Sequence, residues 1–204
     1  LVDRFVSADE EKYYSEKILR MSDSWTTYTP PPYAPACSPL PARTNGFTTF
    51  GSFSNPNKIN ASTIDLWAQI LRAVPNAVLI LKYNAMDSPH QVRRITALFA
   101  ANGIGKERFI LEGGASHADF IARYADIDLA LDTFPYSGGL TTYEALWMGV
   151  PVVAKNGATF ASRHALGILQ AVGLPELVGE DASEYLDKAV SLATDWDRLA
   201  SMRD

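Results

Sequence analysis

The chain has 204 residues, 47% of them apolar and 20% charged, with a net charge of −5 and a single cysteine. A chain of this length buries about 70% of its unfolded surface, enough for one sizeable domain and an extension without covalent staples. The acidic balance argues against nucleic acid or an anionic membrane as the main partner, the lone Cys37 excludes an internal disulfide and fits a reducing, cytoplasmic setting, and no apolar run approaches the ~18 residues of a membrane span.

The first 45 residues differ from the rest. Asp9, Glu10, Glu11 and Lys12 make a charged opening, and residues 13–21 are apolar enough to pack on something. Pro30, Pro31, Pro32, Pro35, Pro39 and Pro41 then crowd together, which predicts an extended connector over a helix or central strand. Residues 1–45 therefore read as a linker leaving another unit. The start at Leu1, with no signal-peptide pattern, predicts a piece of something longer.

From Gly46 strand and helix signals alternate. Residues 47–53 are rich in strand formers, and 55–60 are a polar loop. Ile64, Trp67, Ile70, Leu71 and Val74 recur at helical spacing, with Asn60 or Ser62 as the cap. Residues 78–81 form an apolar strand, 88–101 a helix closed by Asn102-Gly103, and 109–111 a short strand. Ser116 with Asp119 predicts a capping box for a helix to about 124. Later elements are a strand at 129, a helix at 140, a strand at 151, a helix over 160–172, a short strand over 174–178 and one long helix over 183–202. Near-continuous apolar strands separated by helices argue for a parallel sheet covered on both faces. Ligands of such sheets sit beyond the strand C-termini, here residues 52–58, Tyr83, 113–117, 137–142 and 155–160.

The densest signal lies at 129–153. Leu129, Ala130 and Leu131 predict a buried strand, ended by Asp132 and Pro135. Ser137, Gly138 and Gly139 make a turn with no bulk over the backbone. A helix opens near Leu140, carries Ala145, Leu146 and Met148, and stops at Gly149. The first N–H groups of a helix lack internal partners and sit at the positive end of the macrodipole, so a glycine turn there admits a phosphate closely. Thr141 and Thr142 add hydroxyl donors, and Glu144 offers an acceptor for ribose hydroxyls. By spacing alone the same residues also make an ordinary strand-to-helix turn, since glycine turns before helices are common.

The run Asp132-Thr133-Phe134-Pro135-Tyr136-Ser137-Gly138-Gly139-Leu140-Thr141-Thr142, followed by Ala145-Leu146-Trp147-Met148-Gly149-Val150-Pro151-Val152-Val153, resembles the donor-site signature of the O-GlcNAc transferase family. That family includes the animal enzyme, plant protein O-fucosyltransferases and bacterial relatives with tetratricopeptide repeats. The likeness runs from about Tyr13 to Arg203. It implies an α/β fold, the Rossmann-like doubly wound parallel sheet of the C-terminal lobe of a GT-B glycosyltransferase, over residues 46–204, with the end of the preceding lobe in 1–45. It also implies inverting transfer of a sugar, GlcNAc from UDP-GlcNAc, to protein Ser or Thr hydroxyls without a metal or other cofactor. The implied partners are a UDP-sugar, an acceptor protein, a missing N-terminal lobe and tetratricopeptide repeats. A GDP-fucose donor on the same fold, or an inactive nucleotide-binding or interaction module, are the alternatives.

Residue by residue, the resemblance makes Lys58, in Ser52-Phe53-Ser54-Asn55-Pro56-Asn57-Lys58-Ile59, the catalytic lysine at the nucleotide phosphates; taken alone it reads as a solvated charge. Asn55 stands where the animal enzyme has glutamine. Backbone near Ala115 and a stacking Phe120 are implied to hold the base, Phe120 replacing a histidine of animal members; taken alone Phe120 reads as core. Arg123 matches a donor-site arginine, or else makes a surface salt bridge. Glu144 matches an acidic ribose ligand. Gly138, Gly139, Leu140, Thr141 and Thr142 complete the phosphate turn, with Gly139 and Leu140 in place of a histidine and a threonine. That substitution moves the load onto backbone N–H groups, Thr141 and Lys58.

Asp126-Ile127-Asp128 matches the D-x-D metal motif of a different glycosyltransferase architecture but reads here as helix-end and strand-start polarity. His90, His117 and His164 lack metal-ligand spacing, and His117 lies near the predicted mouth with its role open. No general base is identifiable.

Overall fold

The computed structural model describes residue 6, residues 8–22 and residues 24–203. Six strands, β1 (Thr49–Ser52), β2 (Val78–Lys82), β3 (Phe109–Glu112), β4 (Leu129–Leu131), β5 (Val152–Lys155) and β6 (Val178–Gly179), pair in parallel in the order β3-β2-β1-β4-β5-β6. β1 and β4 are buried throughout, as their uninterrupted apolar or small residues require. The strand order reverses between β1 and β4, where Phe50 pairs with Leu129 and Gly51 with Ala130. A Cβ on Gly51 would lie 2.9 Å from the Ile127 side chain, so only glycine lets the chain cross β1 this closely. The crevice at such a reversal, beyond the strand C-termini, is where doubly wound sheets bind ligands.

Helices flank the sheet: α1 (Ala42–Asn45), α2 (Ala61–Ala73), α3 (Pro89–Ala101), α4 (His117–Ala122), α5 (Leu140–Trp147), α6 (His164–Ala171), α7 (Ala182–Thr194) and α8 (Trp196–Arg203). Most start where a short polar side chain satisfies a free backbone donor. Of the two caps considered for α2 the structure uses Asn60, whose side chain accepts from Thr63 N–H. Ser88 caps α3, with Pro89 at its first position, and Asp181 caps α7. Inside the core, Trp67 Nε1 donates to the Tyr185 hydroxyl, which donates to the Asp132 carbonyl, so α2 and α7 together fix the exit of β4.

Four local expectations are corrected. The long terminal helix is two, α7 and α8, because Asp195 leaves helical geometry and its carboxylate accepts from Arg198 N–H, starting a new helix. The proline-rich stretch ends in the short helix α1, since Pro41 sits at the N-cap, where a missing N–H costs nothing, and Gly46 closes it in left-handed geometry. Pro175 makes a 3-10 turn over Pro175–Leu177, which shortens the last strand to Val178–Gly179. The helix expected from 160 begins as a 3-10 turn over Phe160–Ser162 before α6.

The D-x-D pair reads as expected. Asp128 is buried and accepts from Ala42 N–H at 2.8 Å and Thr49 N–H at 2.7 Å, tying α1 and β1 to β4, while Asp126 pairs with Arg123. Burial pushes the Asp128 carboxyl up, and the two backbone bonds oppose that shift. Upstream, Tyr28 stacks on Tyr143 at 5.6 Å and Trp25 meets His164 at 5.0 Å, so the segment before α1 lies along α5 and α6.

Candidate nucleotide-sugar site

The exits of β1, β2 and β3 and the start of α5 enclose a cavity of about 400 Å³. It brings together Asn55, Lys58, Ala115, Phe120, Gly139, Leu140, Thr141 and Glu144, which come from loops far apart in the chain.

The loop after β1 is held in several ways. Asn55 caps the 3-10 turn Pro56–Lys58 by accepting from Asn57 N–H. Arg94 of α3 donates to the Ile59 carbonyl at 2.7 Å and the Pro56 carbonyl at 2.9 Å. Asn60 Nδ2 and the Thr63 hydroxyl both donate to the Phe134 carbonyl, fastening this loop to the one after β4. Lys58 Nζ is thereby placed 2.9 Å from the Ser137 carbonyl and 4.1 Å from the centre of the Tyr136 ring. Burial lowers the Lys58 pKa, and the charge of Asp132 opposes it. Far from being a solvated surface charge, Lys58 is fixed at the entrance of the glycine turn.

That turn rests on Asp132, which is 4% exposed. Asp132 Oδ1 accepts from Gly138 N–H at 2.7 Å. Burial raises the Asp132 pKa from 3.8 to about 7, against the opposing pull of the Gly138 and Thr133 N–H groups and of Lys58. A Cβ on Gly138 would meet Thr142 Oγ1 at 2.5 Å and Asp132 Oδ1 at 2.9 Å, so the turn lies directly on α5 and the buried carboxyl. From the other side the Ser137 hydroxyl accepts from Ala165 N–H at the start of α6. Gly139 is the N-cap of α5 and has no side chain to satisfy the first N–H groups. The helix therefore begins with uncapped donors at the wall of a cavity that also holds a lysine, a combination suited to an anion.

Three predicted residues lie off the cavity wall. Gly138 supports the turn from beneath. Thr142 is buried and lines a much smaller void of about 20 Å³ with Ser52 and Asp132. Arg123 turns to Glu112 at 2.6 Å and to Asp126 at 2.5 Å, the surface ion pair weighed against a donor contact. Its guanidinium holds the Glu112 carboxyl below the usual range. Phe120 combines both readings given to it: it lines the cavity and packs edge-on against core Phe53 at 5.3 Å.

Several wall residues carried no assigned role in the sequence. Tyr83 and Gly114 fell in the strand-exit stretches without a chemical reason to single them out, and Asn84 lies one residue beyond Tyr83, outside those stretches. His117 is the chief addition, because its Nε2 lies 2.8 Å from Glu144 Oε1. Among the described residues no three His, Cys, Asp or Glu side chains are grouped to hold a metal ion, and no helix is long and apolar enough to cross a membrane.

Residues 42–204 match the model of glycosyl transferase family 41. The chain is 39% identical over 189 residues to a probable UDP-N-acetylglucosamine–peptide N-acetylglucosaminyltransferase, SPINDLY, of Petunia hybrida, covering 92% of this chain and 20% of that protein. The chain thus spans about a fifth of the length of that curated relative. Among solved structures, a mutant of the Thermobaculum terrenum O-GlcNAc transferase superposes with a TM-score of 0.90 at 38% identity, over 97% of this chain and 37% of that one. Sucrose-phosphate synthase from Thermosynechococcus elongatus shares the fold alone, with a TM-score of 0.53 at 18% identity over 81% of this chain and 45% of that one. By the family match and these likenesses, the chain belongs to glycosyl transferase family 41.

Proposed function

We propose that this chain is the donor-binding half of an inverting glycosyltransferase that moves GlcNAc from UDP-GlcNAc to Ser or Thr hydroxyls of a protein. The observation that carries this reading is the convergence of the Lys58 ammonium and the uncapped start of α5 on one cavity, whose wall also holds Glu144. The names of the Petunia relative and of the Thermobaculum enzyme support the donor and the acceptor class.

In this reading the diphosphate lies between Lys58 and the N–H groups at Leu140 and Thr141, with the Thr141 hydroxyl beside them. The ribose reaches Glu144, and the base lies against Phe120 near the Ala115 backbone. As the bond from sugar to phosphate breaks, negative charge grows on the departing diphosphate, and preorganised donors stabilise it more than they stabilise the bound donor. A helix start supplies roughly 0.3–2 kcal/mol of that stabilisation, so Lys58 and Thr141 carry much of the remainder. No metal enters the scheme: Lys58 and the helix start take the role that a divalent cation plays in D-x-D enzymes. The acceptor, the general base and part of the sugar pocket come from a preceding lobe, with tetratricopeptide repeats beyond it. A cytoplasmic setting suits the single, exposed Cys37.

Calorimetric titration with UDP, and with GDP as competitor, tests the reading. The expected result is UDP binding ahead of GDP, weakened about tenfold or more by Lys58→Ala, the scale of a lost charge-assisted hydrogen bond. A preference for GDP moves the donor to GDP-fucose. Unchanged affinity in Lys58→Ala removes Lys58 from the site.

A further inference from the structure

A line of hydrogen bonds crosses the cavity mouth, and the donor reading leaves it without a purpose. The Tyr33 hydroxyl, in the proline-rich segment, lies 2.7 Å from His117 Nδ1. His117 Nε2 in turn lies 2.8 Å from Glu144 Oε1. Glu144 is 2% exposed, and its second oxygen, Oε2, is buried with no hydrogen-bond partner. Buried polar atoms are rarely left in that condition, and because Glu144 lines the cavity the missing partner is one that a ligand hydroxyl can supply.

The proton positions follow from the donor inventory. Burial pushes the Glu144 carboxyl up and the His117 hydrogen bond opposes that shift; where Glu144 is ionised it only accepts, so Nε2 carries the hydrogen towards Oε1. In the neutral ring Nδ1 is then the acceptor, and Tyr33 donates to it. Ring contacts hold the imidazole plane: Tyr33 meets it edge-on at 5.9 Å, and Phe120 lies nearly parallel to it at 6.4 Å. Glu144 thus sets the tautomer, Tyr33 holds the other ring nitrogen, and His117 ties down one oxygen of Glu144 while leaving the other unpaired.

We propose that His117, locked by Tyr33, is a positioning residue that orients Glu144 to receive a ribose hydroxyl, so that the chain discriminates ribonucleotides from deoxyribonucleotides. The proposal rests on the donor-binding reading and adds to it the device that sets sugar-ring selectivity. It also gives the segment before α1 a part in the site, because Tyr33 reaches across 84 positions of sequence to do this.

The test is calorimetric titration of the chain with UDP and GDP and with their 2′-deoxy and 3′-deoxy forms. The unaltered chain is expected to prefer one ribonucleotide over a deoxy form by about tenfold or more. His117→Ala should bring that preference to within about threefold, with little change in melting temperature because the His117 side chain is 46% exposed. His117→Gln keeps an N–H near the Nε2 position and should restore most of the preference, and Tyr33→Phe should give an intermediate loss. Full preference retained in His117→Ala overturns the proposal, as does nucleotide binding by the unaltered chain with no preference at all. If the unaltered chain binds neither UDP nor GDP, the donor reading itself fails and the proposal goes with it.

Discussion

Asp132 places a carboxyl in a buried position directly beneath a turn that is proposed to hold phosphate, and its proton has consequences for stability. Its pKa is raised from 3.8 to about 7, chiefly by burial. Between those two values the folded chain keeps a proton that the unfolded chain has released. Stability therefore falls as pH rises through this window, and the contribution is fully present only below 3.8. Asp132→Asn keeps an oxygen to accept from Gly138 N–H and cannot ionise. Urea denaturation between pH 4 and 8 should show a flatter decline of stability in the variant, and parallel curves would contradict the assignment. Lys58, which feels the charge of Asp132, should then lose part of what opposes its lowered pKa. At this scale legibility was uneven. Lys58 and Glu144 stood within recognisable motifs, whereas the partnership of Tyr33 and His117 joins residues that only the folded chain brings together.

Elements were most legible where one side chain acts locally. Asn60 illustrates this, because spacing narrowed the cap of α2 to Asn60 or Ser62, but gave no sign of the Asn60 bond from Nδ2 to the Phe134 carbonyl at 2.7 Å. Asn60→Ala removes both. A lost N-cap costs about 0.5–2 kcal/mol, so the denaturation midpoint should drop accordingly, and nucleotide affinity should weaken as the Lys58 loop loses one of its two ties to the Phe134 carbonyl, the Thr63 hydroxyl keeping the other. An unchanged midpoint would contradict the cap, and a lowered midpoint with unchanged affinity would show that the Asn60 tie to Phe134 is incidental to the site. The capping box expected at Ser116 is half present: Ser116 Oγ accepts from Asp119 N–H, but also donates to the Asp119 carboxylate at 2.6 Å. Asp119 is one methylene shorter than the usual glutamate, which accounts for its meeting the cap hydroxyl instead of the cap backbone. The misread terminal helix has a similar cause. The apolar stripe of Tyr185, Ala189, Leu192 and Leu199 continues through Asp195, and periodicity is blind to a break that a local side-chain bond creates.

For the whole molecule, apolar strands alternating with helices were enough to predict a parallel sheet and so the strand C-terminal edge where such sheets bind ligands, whereas the Gly-Gly turn by spacing alone left an ordinary strand-to-helix turn equally open. The strand order itself, with its reversal between β1 and β4, comes from long-range packing that no local signal carries. The same is true of the segment before α1. Proline density predicted an extended connector, yet Tyr28 stacks on Tyr143 and Tyr33 bonds His117, so this connector is laid against the helices that frame the cavity. A donor held between two such framed edges is the centre of the account. The most direct measurement is a crystal structure of the chain soaked with UDP. The account predicts the diphosphate between Lys58 Nζ and the first N–H groups of α5, with a ribose hydroxyl on Glu144. Diphosphate bound away from Lys58 and α5, with this cavity left vacant, would contradict it.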